Sequence, residues 1–219
     1  MSARKQDRLF ATCGIVSVLV ELVGTFVAMG KDTTHSLTWT SSSTAIAHAF
    51  AKPASTAVWV GAYLELVSMG LFLAFAVWAC AKLGGGILGA IGRGAAVASV
   101  AVSMVSLGLL DAEAYLAGHG LDLSAARALV TVNGATYVGT WFLAAFFLLA
   151  VAPLALGAGR RVVGWSAVAI AAFTLVAAAA SPSNAGQFSA LLWLVWIAGT
   201  SVALARPDAA AVRLEPQPA

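Results

Sequence analysis

Six apolar stretches of roughly 20 residues run through this chain, and that is the length of helix needed to cross the hydrocarbon of a bilayer. Broken at charges and at Gly, Pro and Ser clusters, they lie near 9–30, 57–81, 94–117, 127–156, 162–180 and 187–205. Nothing else in the sequence restricts the fold so severely. Of the 219 residues 61% are apolar and 10% charged, with a mean hydropathy of +0.92. A soluble domain carries about 25% charged residues. The pattern therefore excludes a soluble globular domain, a disordered chain, a coiled coil and a disulfide-stapled module. The expected fold class is all-α: one polytopic six-helix transmembrane bundle over 1–206, followed by a disordered tail over 207–219, rich in Pro and Ala.

Six spans put both termini on one side. Nine of the twelve Lys and Arg residues (Arg4, Lys5, Arg8, Lys82, Arg93, Arg160, Arg161, Arg206, Arg213) lie in the N-terminus, the second and fourth connections or the tail; Lys31, Lys52 and Arg127 lie elsewhere. By the positive-inside rule both termini are then cytoplasmic, in a multi-pass protein of the cell membrane. The net charge of +3 reads as topology and not as a nucleic-acid footprint. Trp59, Trp78 and Trp165 fall at span ends, where an indole buries its ring and keeps its N–H wet. The first span follows Arg4, Lys5 and Arg8 as a signal peptide would, but its apolar stretch exceeds the h-region of about 7–15 residues, so it reads as an uncleaved helix.

Several features have structural readings. Cys13 and Cys80 lack any CxxC or Cys/His spacing and read as packing residues. The glycine-rich segment from Gly84 to Gly94 follows no strand and lacks Gly-Lys-Ser/Thr, so it reads as a flexible turn between two membrane helices and not as a phosphate loop. In the one long connection, from Lys31 to Thr56, Ser42-Ser43-Thr44 precedes a short apolar run ending before Pro53, the pattern of a capped helix lying across the outer mouth. It is either a lid or a loop that closes the bundle. His35, His48 and His119 all lie in outer loops, near enough to the acids for a metal to be conceivable, yet their spacing offers no ligand pair; no metal and no cofactor is expected. No internal repeat is visible.

The anomaly is acidic. Glu21, Glu65, Asp111 and Glu113 lie inside expected spans, and an intramembrane carboxylate costs a few kcal/mol or more (roughly +2.5 to +3.5 on insertion scales) unless it is protonated, paired or wet. At 1.5 Å per residue, Glu21 and Glu65 lie about 12–14 Å below the outer helix ends, and Asp111 and Glu113 about 6–9 Å. Helical phase puts Cys13, Ser17, Glu21, Gly24 and Thr25 on one stripe, Gly61, Glu65 and Ser68 on a second, and Ser99, Ser103, Ser106 and Glu113 on a third. These stripes face the bundle either as a reactive polar layer or as small-residue packing with hydrogen-bonded structural acids. Asp111 and Glu113 are nearly opposite in phase and cannot share a dyad; one of them meets headgroups or Arg127. Asn133, Thr136, Tyr137 and Thr140, beside Trp141, supply donors that reach a carboxyl on a facing helix. Trp193 and Trp196 lie in mid-span, on nearly one face, where belt placement does not account for them.

Ala62-Tyr63-Leu64-Glu65-Leu66-Val67-Ser68-Met69-Gly70-Leu71-Phe72, with Val132-Asn133-Gly134-Ala135-Thr136-Tyr137 and Thr140-Trp141-Phe142-Leu143-Ala144, resembles a family of uncharacterised six-helix membrane proteins common in actinobacteria. Val163-Gly164-Trp165-Ser166-Ala167-Val168 and Leu191-Leu192-Trp193-Leu194-Val195-Trp196-Ile197 extend the resemblance over most of the chain. It implies the six-helix topology and no chemistry. In size and in its buried acids the chain is also similar to small membrane-bound terpene cyclases.

Three functions follow as expectations. In the first, the chain is an enzyme cyclising a lipophilic isoprenoid: burial disfavours the charged form of a carboxyl, and a neutral acid can protonate an alkene or epoxide. Glu65 is then the acid, with Glu21, or else Asp111 or Glu113, as second acid or terminal proton acceptor. Aromatic faces steady the cation, the candidates being Trp59, Tyr63, Phe72, Tyr137, Trp141 and Trp193, with Asn133 as a polar contact. The partners are a lipophilic small molecule and membrane lipid, with no nucleic acid; the oligomeric state is unspecified. In the second, the acids relay protons in a proton-coupled exporter, which needs polar access from both faces. In the third, the chain is a non-catalytic membrane subunit or regulator.

Overall fold

The computed structural model describes residues 2–29, 34, 37–180 and 185–206. The expected disordered tail over 207–219 and His35 lie outside the described residues. Among those residues the fold is entirely helical: α1 (Ala3–Met29), α2 (Ser43–Phe50), α3 (Thr56–Leu83), α4 (Gly86–Leu116), α5 (Leu123–Gly157), α6 (Arg161–Ala179) and α7 (Ala185–Ala205). All but α2 are long and apolar enough to cross a membrane. Backbone groups cannot be left unpaired in hydrocarbon, and a continuous helix satisfies them internally.

The six long helices pack each against the next in sequence, and α7 returns to α1, closing a ring in the order α1, α3, α4, α5, α6, α7, while α2 packs on α4 and α5. The end where α1 starts and α7 stops is called here the terminal face; the opposite end, which carries α2, is the cap face. The tightest seam joins α1 to α3. A β-carbon on Gly61 would stand 2.7 Å from the Gly24 carbonyl oxygen and from the Ala28 side chain, and one on Gly24 would stand 3.0 Å from the Gly61 carbonyl oxygen. Only reciprocal glycines let the two backbones come this close.

The ring is filled by aromatic rings. Phe72, Phe147 and Trp193 meet pairwise with centroids 5.3–5.8 Å apart, and Trp196 stacks on Trp193 at 5.9 Å. The placement of Trp193 and Trp196 is thus internal. Nearer the terminal face, Phe75 and Phe10 pack against Trp78. Trp78 is buried, unlike a belt residue, and its N–H donates to Asp7 Oδ1 at 3.0 Å while Lys82 Nζ pairs with Asp7 Oδ2 at 2.6 Å. Trp59 and Trp165 have the exposed placement expected of belt residues.

Two further expectations change. The third span starts at Gly86, not near 94, so the turn is only Gly84–Gly85 and the other glycines of that segment are helical. The reason is packing: Gly92 lies where a β-carbon would come within 2.8 Å of Cys80 Sγ, so the bare backbone lets α4 begin tightly against the end of α3. At 31 and 35 residues, α4 and α5 are about 46 and 52 Å long. Both exceed a hydrocarbon core of about 30 Å.

Their extra turns carry a second, small core on the cap face, in which Ile46, Ala49 and Phe50 of α2 pack on Ala117, Ala126 and Val130. The Ser42 hydroxyl caps α2 by accepting from the Ala45 N–H, as the sequence pattern predicts. Phe50 accepts from the Gly118 N–H at 2.8 Å, and Pro53 lies against Gly118, whose φ of 76° admits glycine readily. Asp122 caps α5; the hydrogen bond from the Ser124 hydroxyl, helped by the Ala125 N–H, holds its carboxyl below the usual carboxylate range.

Replacing Gly61 by Ala forces α1 and α3 apart. We expect a loss of about 1–3 kcal/mol, read as a lower thermal midpoint of the detergent-solubilised protein. Gly70→Ala, where the added carbon meets nothing within 4 Å, leaves the midpoint unchanged or raised.

Candidate functional site: carboxyls above an aromatic floor

The Gly24–Gly61 crossing sets the site. Glu65 is one turn below Gly61, and its Cγ lies 3.3 Å from where a β-carbon on Gly24 would be. Glu21 is one turn from Gly24 on the same α1 stripe and lies beside the Ser68 hydroxyl, one turn below Glu65. Ser68 also donates to the Ser17 carbonyl at 3.0 Å. Both acids thus belong to the α1–α3 seam, about 12 and 14 Å below the cap-side ends of their helices.

Across the ring, Tyr137 of α5 is within electrostatic reach of both Glu21 and Glu65, and the ring of Trp141 meets it edge-on at 5.1 Å. Yet among the described residues α1 and α5 have no backbone contact. Glu21 and Glu65 are only partly buried, and Tyr137 keeps 44% of its surface. At this level, then, neither the carboxyls nor the phenol is fully buried, and the α1 and α5 backbones are not packed against one another. About two turns below Glu65 on α3, Phe72 packs with Phe147 and Trp193 across the ring, forming a floor of aromatic side chains.

A second polar group lies higher, toward the cap. Glu113 is 1% exposed and accepts from Asn133 Nδ2 at 3.2 Å, and Asn133 Oδ1 accepts from Ser106 Oγ at 2.9 Å. This chain from α4 to α5 and back to α4 meets the expectation that Asn133 reaches a carboxyl on a facing helix. Asp111, opposite in phase, is half-buried on α4. Arg127 instead reaches Ser43 Oγ at 2.9 Å and the Ser41 carbonyl at 3.4 Å, so it ties α5 to the start of α2.

Of the residues singled out in the sequence, the fold brings Glu21 and Glu65 to one seam within electrostatic reach of Tyr137, which meets Trp141, and joins Glu113 to Asn133. Phe72 and Trp193 form the floor. Trp59 and Tyr63 are 41% and 67% exposed and are not part of the packed interior. His48 and His119 are exposed, His119 stacking on Tyr115 at 5.4 Å. Among the described residues no group of three or more His, Cys, Asp and Glu side chains could hold a metal ion. Trp39 was missed: from the long connection its ring covers Gly134 at about 3.5 Å from the β-carbon position, one residue after Asn133. The only available signal was a bulky ring in a polar loop together with a glycine in an otherwise ordinary stretch of α5.

No protein-family model, curated protein or solved structure matches this chain. Its function must be argued from the site itself.

Asn133→Leu removes the donor to Glu113 and the acceptor for Ser106. Leaving buried polar groups unsatisfied costs about 1–3 kcal/mol each, so we expect a clear fall in thermal midpoint. Ser106→Ala in the Asn133→Leu background should add little, a non-additivity that a double-mutant cycle reads directly.

Proposed function

We propose that the chain is an integral-membrane enzyme that cyclises a lipophilic isoprenoid by intramembrane proton donation. The reading is supported by Glu21 and Glu65 on one seam within electrostatic reach of Tyr137, with aromatic rings below them; the space between these groups is proposed as the substrate cleft. Glu65 is the acid: its proton adds to an alkene or epoxide, ring closure carries the cation along the substrate, and loss of a proton to Glu21 ends the reaction with a product isomeric with the substrate. Tyr137 and Trp141 present π-faces at the carboxyl level and Phe72 and Trp193 at the floor, where such faces stabilise positive charge without acting as nucleophiles. The substrate class rests on the similarity in size and intramembrane acids to membrane-bound terpene cyclases.

The floor argues against a proton-coupled exporter, which needs a polar path to the terminal face. A non-catalytic subunit is the second reading, favoured by the Glu113–Asn133–Ser106 chain, which uses an intramembrane acid to join two helices.

Membranes carrying the wild type should convert a farnesyl-bearing compound to an isomer of unchanged mass, detected by chromatography and mass spectrometry. Glu65→Gln at matched expression should give less than about 1% of that product, general acids contributing about 10²–10⁴-fold. Glu113→Gln, outside the cleft, should retain most of it. Full activity in Glu65→Gln removes the acid role from this residue; no conversion of several prenylated substrates by the wild type moves the reading to the subunit.

We also place both termini in the cytoplasm, on the nine-to-three distribution of Lys and Arg. A membrane-impermeant maleimide should then label Lys52→Cys in intact cells and Arg161→Cys only after permeabilisation. The reverse pattern inverts the topology.

A further inference from the structure

The seam that closes the ring, between α1 and α7, is not tightly filled. An apolar groove of about 630 Å³ runs along it, bordered by Val18 and Leu22 of α1 and by Leu191, Val195 and Val202 of α7, with Arg206 at its terminal-face end. A second hollow of about 420 Å³ adjoins it at Val202 and Arg206 and carries Arg8 and Thr12. The two form one surface-open channel with apolar walls and a guanidinium on each side of one mouth.

Its dimensions match one lipid leaflet. From Arg8 to Leu22 is 14 residues and from Leu191 to Arg206 is 15, about 21–22 Å of helix. Half of a bilayer of about 40–45 Å, headgroups included, is about 20–22 Å. The charge pattern matches as well. No acidic side chain lines either hollow. Asp7, the nearest acid in sequence, is taken up by Lys82 and Trp78 on the α3 side. Among the described residues neither Arg8 nor Arg206 has an acidic partner. Arg160 donates to the Ala203 carbonyl at 3.2 Å and to that of Arg206 at 3.5 Å, fixing the end of α7 so that Arg206 stands at the mouth.

We propose that this groove is a binding site for an anionic phospholipid of the leaflet at the terminal face, its phosphate held between Arg8 and Arg206 and one acyl chain lying along the α1–α7 seam. Guanidinium groups suit a phosphate because they offer paired donors in a fixed plane. Phosphatidylcholine has the same phosphate and the same chains, but its trimethylammonium group cancels the net charge; the site therefore selects by charge. The site is separate from the carboxyl cleft and stands or falls independently of the enzymatic reading.

The full-length protein, purified in detergent, is titrated with dioleoyl phosphatidylglycerol and with dioleoyl phosphatidylcholine and read by native mass spectrometry. The wild type should retain phosphatidylglycerol in preference. The double variant Arg8→Gln/Arg206→Gln should lose about 30-fold in apparent affinity for it, at roughly fivefold per basic residue near a membrane surface, and bind the two lipids alike. Gly199→Leu tests the groove itself: a β-carbon there meets nothing within 4 Å, so the variant folds while its side chain fills the acyl path. It should weaken phosphatidylglycerol binding with both arginines in place. Equal retention of the two lipids by the wild type overturns the proposal, as does wild-type preference in the double variant or undiminished binding in Gly199→Leu.

Discussion

The close crossing of α1 and α3 at Gly24 and Gly61 is the contact on which the rest of the arrangement depends. Lipid chains are as apolar as leucine, so helices in a bilayer gain little from hiding apolar surface and associate through close packing and hydrogen bonds. With each glycine lying against the other's carbonyl, the side chains one turn away, Glu21 and Glu65, are brought to the same seam, with Ser68 a turn further on. Two intramembrane acids, each costly alone, share a seam that Ser68 ties together by donating to the Ser17 carbonyl. The crossing supplies packing and positions the polar groups at once.

The bundle is stratified along its axis. A small apolar core under α2 lies at the cap; Glu113, Asn133 and Ser106 come next, with the Glu21 and Glu65 carboxyls; aromatic rings fill the middle; and the Asp7–Lys82 pair with Trp78 finishes the terminal end. The intramembrane acids thus lie between an apolar core at the cap and a layer of rings.

Much of this was legible in residue spacing. The spans follow from run length, and the stripes holding Glu21 with Gly24 and Glu65 with Gly61 and Ser68 mark the faces that meet. Ser99, Ser106 and Glu113, on one stripe, are all buried. What spacing does not reveal is the direction of aromatic side chains. In a helix that is apolar all round, lipid and protein interior are equally acceptable to a ring, so nothing in the pattern separates the exposed Tyr63 from the buried Phe72. The glycines after Gly84 misled for a related reason: glycine loosens an isolated helix, yet in a membrane bundle it is the residue that permits close contact, as Gly92 does against Cys80. Trp78 and Asp7 escaped notice as partners because their 71-residue separation is bridged only by the fold.

The aromatic floor has a mechanical meaning. Phe72 of α3, Phe147 of α5 and Trp193 of α7 touch pairwise, so three helices that are not neighbours in the ring are joined across its axis. A bundle cross-braced in this way resists the sideways slip that a ring held only by its neighbouring seams allows.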